Sequence, residues 1–144
     1  MKKIFSFLPI IFLSLFLFSL ALASSDLDGF ITNLNVEAKA DLGAFKARIS
    51  TQFGVPVPKV ESVMASAGTP GDAYMCFRVG QVASHPVEVV MKEYQAKKGQ
   101  GWGVIAKNLG IKPGSKEFHA LKKGGLKGDD TSGGKGKGKG KGKN

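Results

Sequence analysis

The sequence predicts an all-α protein, a compact array of short helical hairpins of helix-turn-helix-like plan, followed by a disordered C-terminal tail. Three observations predict it. Apolar residues between 27 and 121 recur at helical spacing, and the strict alternation of a half-buried strand is scarce. Three apolar runs each end in a tight turn that leads through proline towards another helix. The final stretch is dominated by glycine and lysine, with almost nothing to bury.

The chain opens on Met1-Lys2-Lys3, a positive start, and runs on through an apolar stretch from Ile4 to Leu20. Ala21-Leu22-Ala23 then gives the small-x-small pattern that a signal peptidase accepts. Residues 1–23 therefore read as a secretory signal peptide cut before Ser24, and the protein is expected to be exported, to a periplasmic or extracellular destination. The apolar run falls slightly short of the ~20 residues a membrane span needs, so no stable membrane insertion is expected after cleavage. Residues 24–124 are left for a helical domain and 125–144 for the basic tail.

Within the body, Leu27, Phe30, Ile31 and Leu34 share one helical face, and Leu42, Phe45, Ile49 and Phe53 form a second stripe with Asp41 as its N-cap. Val60, Val63, Met64 and Ala67 form a third, with Pro58 in the first turn, where its missing N–H does no harm. Thr69-Pro70-Gly71-Asp72 predicts a helix start capped by Thr69, with Asp72 near the positive end of the dipole. The helix that follows is apolar nearly all round, the mark of a central buried element. It contains Cys76, the single cysteine, which reads as core and has no partner for an internal disulfide. A helix from Pro86 turns Val87, Val90, Met91 and Tyr94 inward. Trp102, Ile105, Ala106 and Leu109 repeat the spacing, and a short helix from Ser115 presents Phe118 and Leu121.

The turns show a loose repeat: Phe53-Gly54-Val55-Pro56, Ala83-Ser84-His85-Pro86 and Leu109-Gly110-Ile111-Lys112-Pro113. Units this short cannot bury their apolar faces alone and must stack on neighbours.

Charge is uneven. Residues 122–144 carry eight lysines against Asp129 and Asp130, so they hold +6, whereas eleven cations against nine acids leave residues 24–121 at +2. Lys135, Lys137, Lys139, Lys141 and Lys143 alternate with glycine, which places successive ammonium groups ~7 Å apart on an extended chain. That spacing meets about every second phosphate of a nucleic-acid strand and carries no sequence code. These five lysines are the candidate anion-binding residues.

Chemistry is sparse. His85, His119 and Cys76 are far apart and show no metal-ligand spacing, so no metal and no cofactor are expected. Nucleophile elbows, phosphate loops and dinucleotide fingerprints are missing from the sequence, and the paired acids Asp26/Asp28 and Asp129/Asp130 sit where no pocket is expected. No catalytic residues are assigned and an enzyme is not expected.

The most distinctive segment is Gly101-Trp102-Gly103-Val104-Ile105-Ala106-Lys107-Asn108-Leu109-Gly110-Ile111-Lys112-Pro113-Gly114-Ser115, followed by Glu117-Phe118-His119. It resembles a group of small exported bacterial proteins of unknown function, and its Ile-Ala-Lys-x-Leu-Gly-Ile core resembles the first helix and turn of DNA-binding helix-turn-helix domains. The second resemblance implies a recognition helix over 115–123 offering Lys116, His119, Lys122 and Lys123 to a groove or to phosphates. With Lys97, Lys98 and Trp102 of the preceding basic loop, these residues make a candidate contact surface. Trp102 is also in helical phase with Ile105, Ala106 and Leu109, which predicts core packing for its ring.

The functional expectation is an exported binding module whose cationic tail tethers an anionic polymer, such as extracellular DNA, acidic polysaccharide or envelope phosphate. The alternative is an envelope scaffold that binds a protein partner through the surface of its helical hairpins.

Overall fold

The computed structural model describes residues 26–123, which form seven helices and no strand. They are α1 (26–40), α2 (Leu42–Phe53), α3 (Val57–Ala67), α4 (Pro70–Ala83), α5 (Val87–Ala96), α6 (Trp102–Asn108) and α7 (Lys116–Ala120). Residues 1–23, expected to be a signal peptide, and residues 125–144, expected to be a disordered tail, lie outside the described residues. Among the described residues no helix is long and apolar enough to cross a membrane.

The helix starts are set by short polar side chains or by proline. Asp41 accepts the Ala44 N–H at 2.9 Å and separates α1 from α2 without an intervening loop. Thr69 accepts the Asp72 N–H at 3.1 Å at the head of α4, and Ser115 accepts the Phe118 N–H at 3.1 Å at the head of α7. Each satisfies a donor that the first helical turn leaves without an internal partner.

The three repeated turns share one geometry. Gly54, Ser84 and Gly110 all have positive φ, at 65°, 57° and 93°. The next residue in each case donates its N–H five residues back: Val55 to Ser50 O at 3.1 Å, His85 to Gly80 O at 2.9 Å and Ile111 to Ala106 O at 2.9 Å. This is the left-handed cap that closes a helix and reverses the chain. Two of the turns enter the next helix directly after Pro56 or Pro86. The third wanders through Lys112 to Ser115 before α7 starts.

α4 is the axis of the fold. Ala73, Tyr74, Met75, Cys76 and Val79 are fully buried, and α2, α3, α5, α6 and α7 all pack against it. Its two glycines permit the closest approaches. A Cβ on Gly71 would lie 2.7 Å from the Ile31 carbonyl oxygen, and one on Gly80 would lie 2.8 Å from that of His85. α1 therefore crosses the first turn of α4 at Gly71, whose N–H donates to Asn35 Oδ1 at 2.8 Å. Tyr74 receives the ring edges of Phe30 and Phe53, while Phe53 stacks on Phe77.

The apolar stripes land in the core with one exception. Leu42, expected inward, is 48% exposed because the corner at Asp41 turns the first residue of α2 outward. Ala38 takes a buried place further back on α1.

Candidate functional site

The candidate residues of the 97–123 region are held by two corners. At the first, α5 ends at Lys97, and Gly99 and Gly101 take positive φ of 92° and 87°. This backbone path, hard for a residue with a Cβ, brings Trp102 back against α5. Its indole stacks on Tyr94 at 5.1 Å between centroids and is only 4% exposed, in keeping with the core packing its phase predicts. The indole N–H donates to Asp72 Oδ1 at 2.7 Å, and the Thr69 hydroxyl donates to Asp72 Oδ2 at 2.7 Å. Asp72, read from sequence as a helix-dipole partner, thus also ties α6 to the head of α4.

Burial, and after it the Asp72 charge, push the Tyr94 hydroxyl and the Cys76 thiol up to about 12 each. Tyr94 donates its hydroxyl to Ala67 O at 2.9 Å. Cys76 is fully buried and sits in the core as expected. Such a thiol is held in its unreactive protonated form.

Between α1, α4, α5 and α6 lies a cleft of about 540 Å³, walled by Asp28, Thr32, Asp72, Tyr94, Lys98 and Trp102 among others. The expectation that Asp26 and Asp28 lie away from any pocket is corrected here, because Asp28 forms part of the cleft wall. The crossing of α1 over the start of α4 brings it there, and no local sequence signal encodes that crossing. Lys98 sits at the edge with Nζ 5.9 Å from the Tyr94 ring centroid, within cation–π range.

At the second corner, Ile111 is buried, and Ser115 donates its hydroxyl to Lys112 O at 2.6 Å. α7 is five residues long, and the implied recognition helix over 115–123 continues past it only as a turn. Phe118 and Leu121 are buried against the core. Arg78 of α4 holds the far end of α7, donating from Nη2 at 2.6 Å and from Nε at 3.2 Å to Ala120 O. Lys116, His119 and Lys123 are exposed. Lys122 pairs with Asp26 at the start of α1.

The structure therefore separates the candidate contact residues into two groups. Lys98 and Trp102 line the cleft and Lys97 precedes them at the end of α5, while Lys116, His119, Lys122 and Lys123 belong to α7 and its trailing turn. The start of α1 touches both, through Asp28 and Asp26. Lys135, Lys137, Lys139, Lys141 and Lys143 lie outside the described residues. Among the described residues no group of His, Cys, Asp and Glu is placed to hold a metal ion.

A division of charge emerges that a cut between body and tail conceals. Residues 26–96 carry six cations and eight carboxylates, a net of −2, whereas residues 97–123 carry seven lysines against Glu117 alone, a net of +6. Cations of the first region are mostly engaged: Lys46 with Glu61, Arg48 with Glu37, Lys59 with Glu88, and Arg78 with Ala120 O. Among the described residues no carboxylate pairs with Lys97, Lys112, Lys116 or Lys123.

One position that shapes these sites was not singled out by the sequence. Arg78 had a weak signal, as the one charged residue in the apolar stretch of α4, and such an isolated cation marks a specific partner. Asp28 was named only as one of a pair of acids, and nothing local placed it at a cleft. In comparisons with known proteins, the chain matches no family model, no curated protein and no solved structure.

Proposed function

We propose that this chain is an exported, non-enzymatic binding module that holds an anionic polymer: extracellular DNA, an acidic polysaccharide or envelope phosphate. One observation carries the reading. Lys112, Lys116 and Lys123 of the α6–α7 hairpin face solvent with no carboxylate partner among the described residues, and the sequence beyond them carries lysine at every second position from Lys135. Charges left unpaired on a folded surface are available to an external polyanion, whose condensed counterions are released when lysines replace them. The body supplies a rigid base for this surface, through Arg78 at one end of the hairpin and Trp102 at the other.

A second reading, an envelope scaffold that binds a protein partner, draws on a different observation. Val57 and Val89 are exposed at the starts of α3 and α5, which the Lys59–Glu88 pair joins. Nearby is an apolar notch of about 300 Å³ lined by Phe53, Val55, Phe77 and Val87 among others.

Binding of the chain from Ser24, with and without residues 125–144, to duplex DNA and to a non-nucleic polyanion across a salt series tests the proposal. Affinity that falls steeply with salt, treats both polymers alike and weakens on removal of the tail is the expected result. A tail-independent preference for DNA would make the α6–α7 hairpin a DNA reader. No binding to either polymer at physiological salt overturns the proposal and favours a protein partner.

A further inference from the structure

The lysine-rich half of the chain offers charge and very little else. From residue 97 to residue 144 the sequence holds thirteen lysines and no arginine. Arg48 and Arg78 lie in residues 26–96, where Arg48 pairs with Glu37 and Arg78 is tied to Gln81 and to Ala120 O. An arginine fork grips a phosphate or a guanine edge through two bonds at fixed geometry. An ammonium is a point charge on a flexible stem, and it carries no such geometric code.

Aromatic rings are withheld as well. Beyond residue 97 the sequence has Trp102 and Phe118, and neither tryptophan, tyrosine nor phenylalanine follows. Both are buried, at 4% and 3% exposed. Tyr94 covers the indole at an interplanar angle of 18°, the indole N–H is bonded to Asp72, and Lys98 sits over the Tyr94 ring. Neither Trp102 nor Phe118 has a face left on which a base or a sugar could stack. The imidazole of His119 is exposed, but it is one ring set edge-on to Phe118, whereas single-strand binding uses rings in succession.

What remains to select a polymer is the release of its counterions. Crowded charges condense more counterions: the logarithmic salt slope is about −0.9 per phosphate neutralised on duplex DNA and about −0.7 on a single strand. We infer that the polymer this chain holds is a closely charged phosphate backbone, of the duplex-DNA class, selected by linear charge density and not through its bases or sugars. Resting on the polyanion reading above, this ranking places single strands and acidic polysaccharides below the duplex. Inorganic polyphosphate carries the same crowded phosphates without bases, so it separates the backbone from the double helix as the source of binding.

Labelled duplex DNA bound to the chain from Ser24 is displaced by unlabelled polymers at equal charge and followed by fluorescence anisotropy. Polyphosphate should displace it about as well as unlabelled duplex does. Oligothymidylate and oligodeoxyadenylate should both be weaker than the duplex and equal to each other, because their bases stack differently while their charges are spaced alike. Hyaluronate, whose carboxylates are widely spaced, should be weaker by about tenfold or more. Trp102 is the only tryptophan, so its emission reports stacking directly, and saturating single strand should leave it unchanged. His119→Ala should keep the order of the polymers. A single strand held as tightly as the duplex, a difference between the two single strands, or quenching of Trp102 overturns the inference alone. So does hyaluronate that matches the duplex, polyphosphate that fails to displace it, or an order that changes with His119→Ala. In each of those cases polyanion binding itself still stands. Failure of every polymer to bind at physiological salt overturns the polyanion reading and this ranking together.

Discussion

Residues 26–96 and residues 97–123 share one core, yet they treat their charges in different ways. In the first region carboxylates outnumber cations, and Lys46, Arg48 and Lys59 are each matched to a neighbouring helix: α2 to α3, α2 to α1 and α3 to α5. In the second, seven lysines accompany a single glutamate, and the ion pair of Lys122 runs back to Asp26 of α1. Exposed pairs contribute little to stability, so pairing in the first region chiefly cancels the field there. In the second region Lys112, Lys116 and Lys123 instead face solvent with no carboxylate partner among the described residues. The same fold thus joins a nearly neutral base to a cationic region, and the sequence that follows adds the lysines of the Gly-Lys segment.

The comparison depends on the hairpin being firmly held, and that is where it can be broken most severely. Trp102→Ala removes a buried ring and its bond to Asp72, and is expected to cost about 3–5 kcal/mol in urea denaturation. Hydrogen exchange should show α6 and α7 losing protection before α2 to α4. Arg78→Ala deletes the two donors to Ala120 O and should cost about 1.5–3 kcal/mol, with the loss of protection concentrated in α7.

Alkaline titration sharpens the link between the two regions. The ordinary values of the Tyr94 hydroxyl and the Cys76 thiol are 10.0 and 9.0, and the fold holds both up at about 12. The folded state thus favours the protonated forms. Their contribution is fully present below about pH 9 and is lost as pH rises towards about 12. The urea midpoint should therefore be flat from neutrality to about pH 9 and fall above it, and Cys76→Ala should remove the earliest part of that fall. A midpoint that holds steady to pH 12 would show that neither group is buried as described.

Much of this architecture was legible in the sequence, and the missing parts share a physical cause. Asp41, Thr69 and Ser115 declare the helix starts because a cap is a local bond between residues three apart. The three turns at Gly54, Ser84 and Gly110 are legible for the same reason, although Ser84 lacks the glycine that usually marks a left-handed cap. Helical phase assigns Trp102 to the core. Periodicity says which face of a helix is buried but not which neighbour covers it. The crossing of α1 over Gly71, the hold of Arg78 on Ala120 and the place of Asp28 in the cleft all depend on that neighbour, so they could not be read in advance. Counting charge by composition was misleading too. A boundary drawn at the low-complexity tail averages the cationic hairpin with the acidic helices before it.

The smallest structural change provides the most direct test. Two triple variants of the chain from Ser24, both ending at residue 124, alter net charge equally. One replaces Lys112, Lys116 and Lys123 with glutamine, and the other replaces Lys46, Arg48 and Lys59. Lys112, Lys116 and Lys123 are exposed and lack carboxylate partners among the described residues, so each change there should shift stability by no more than about 0.5 kcal/mol. Binding to a duplex polyanion is then measured across salt. The account predicts that the hairpin variant weakens binding and flattens the logarithmic salt slope by about 0.9 for each phosphate no longer neutralised, while the other leaves affinity and slope close to those of the parent. An equal weakening in both variants would mean that net charge alone attracts the polymer, and would contradict the assignment of binding to the unpaired lysines of the hairpin.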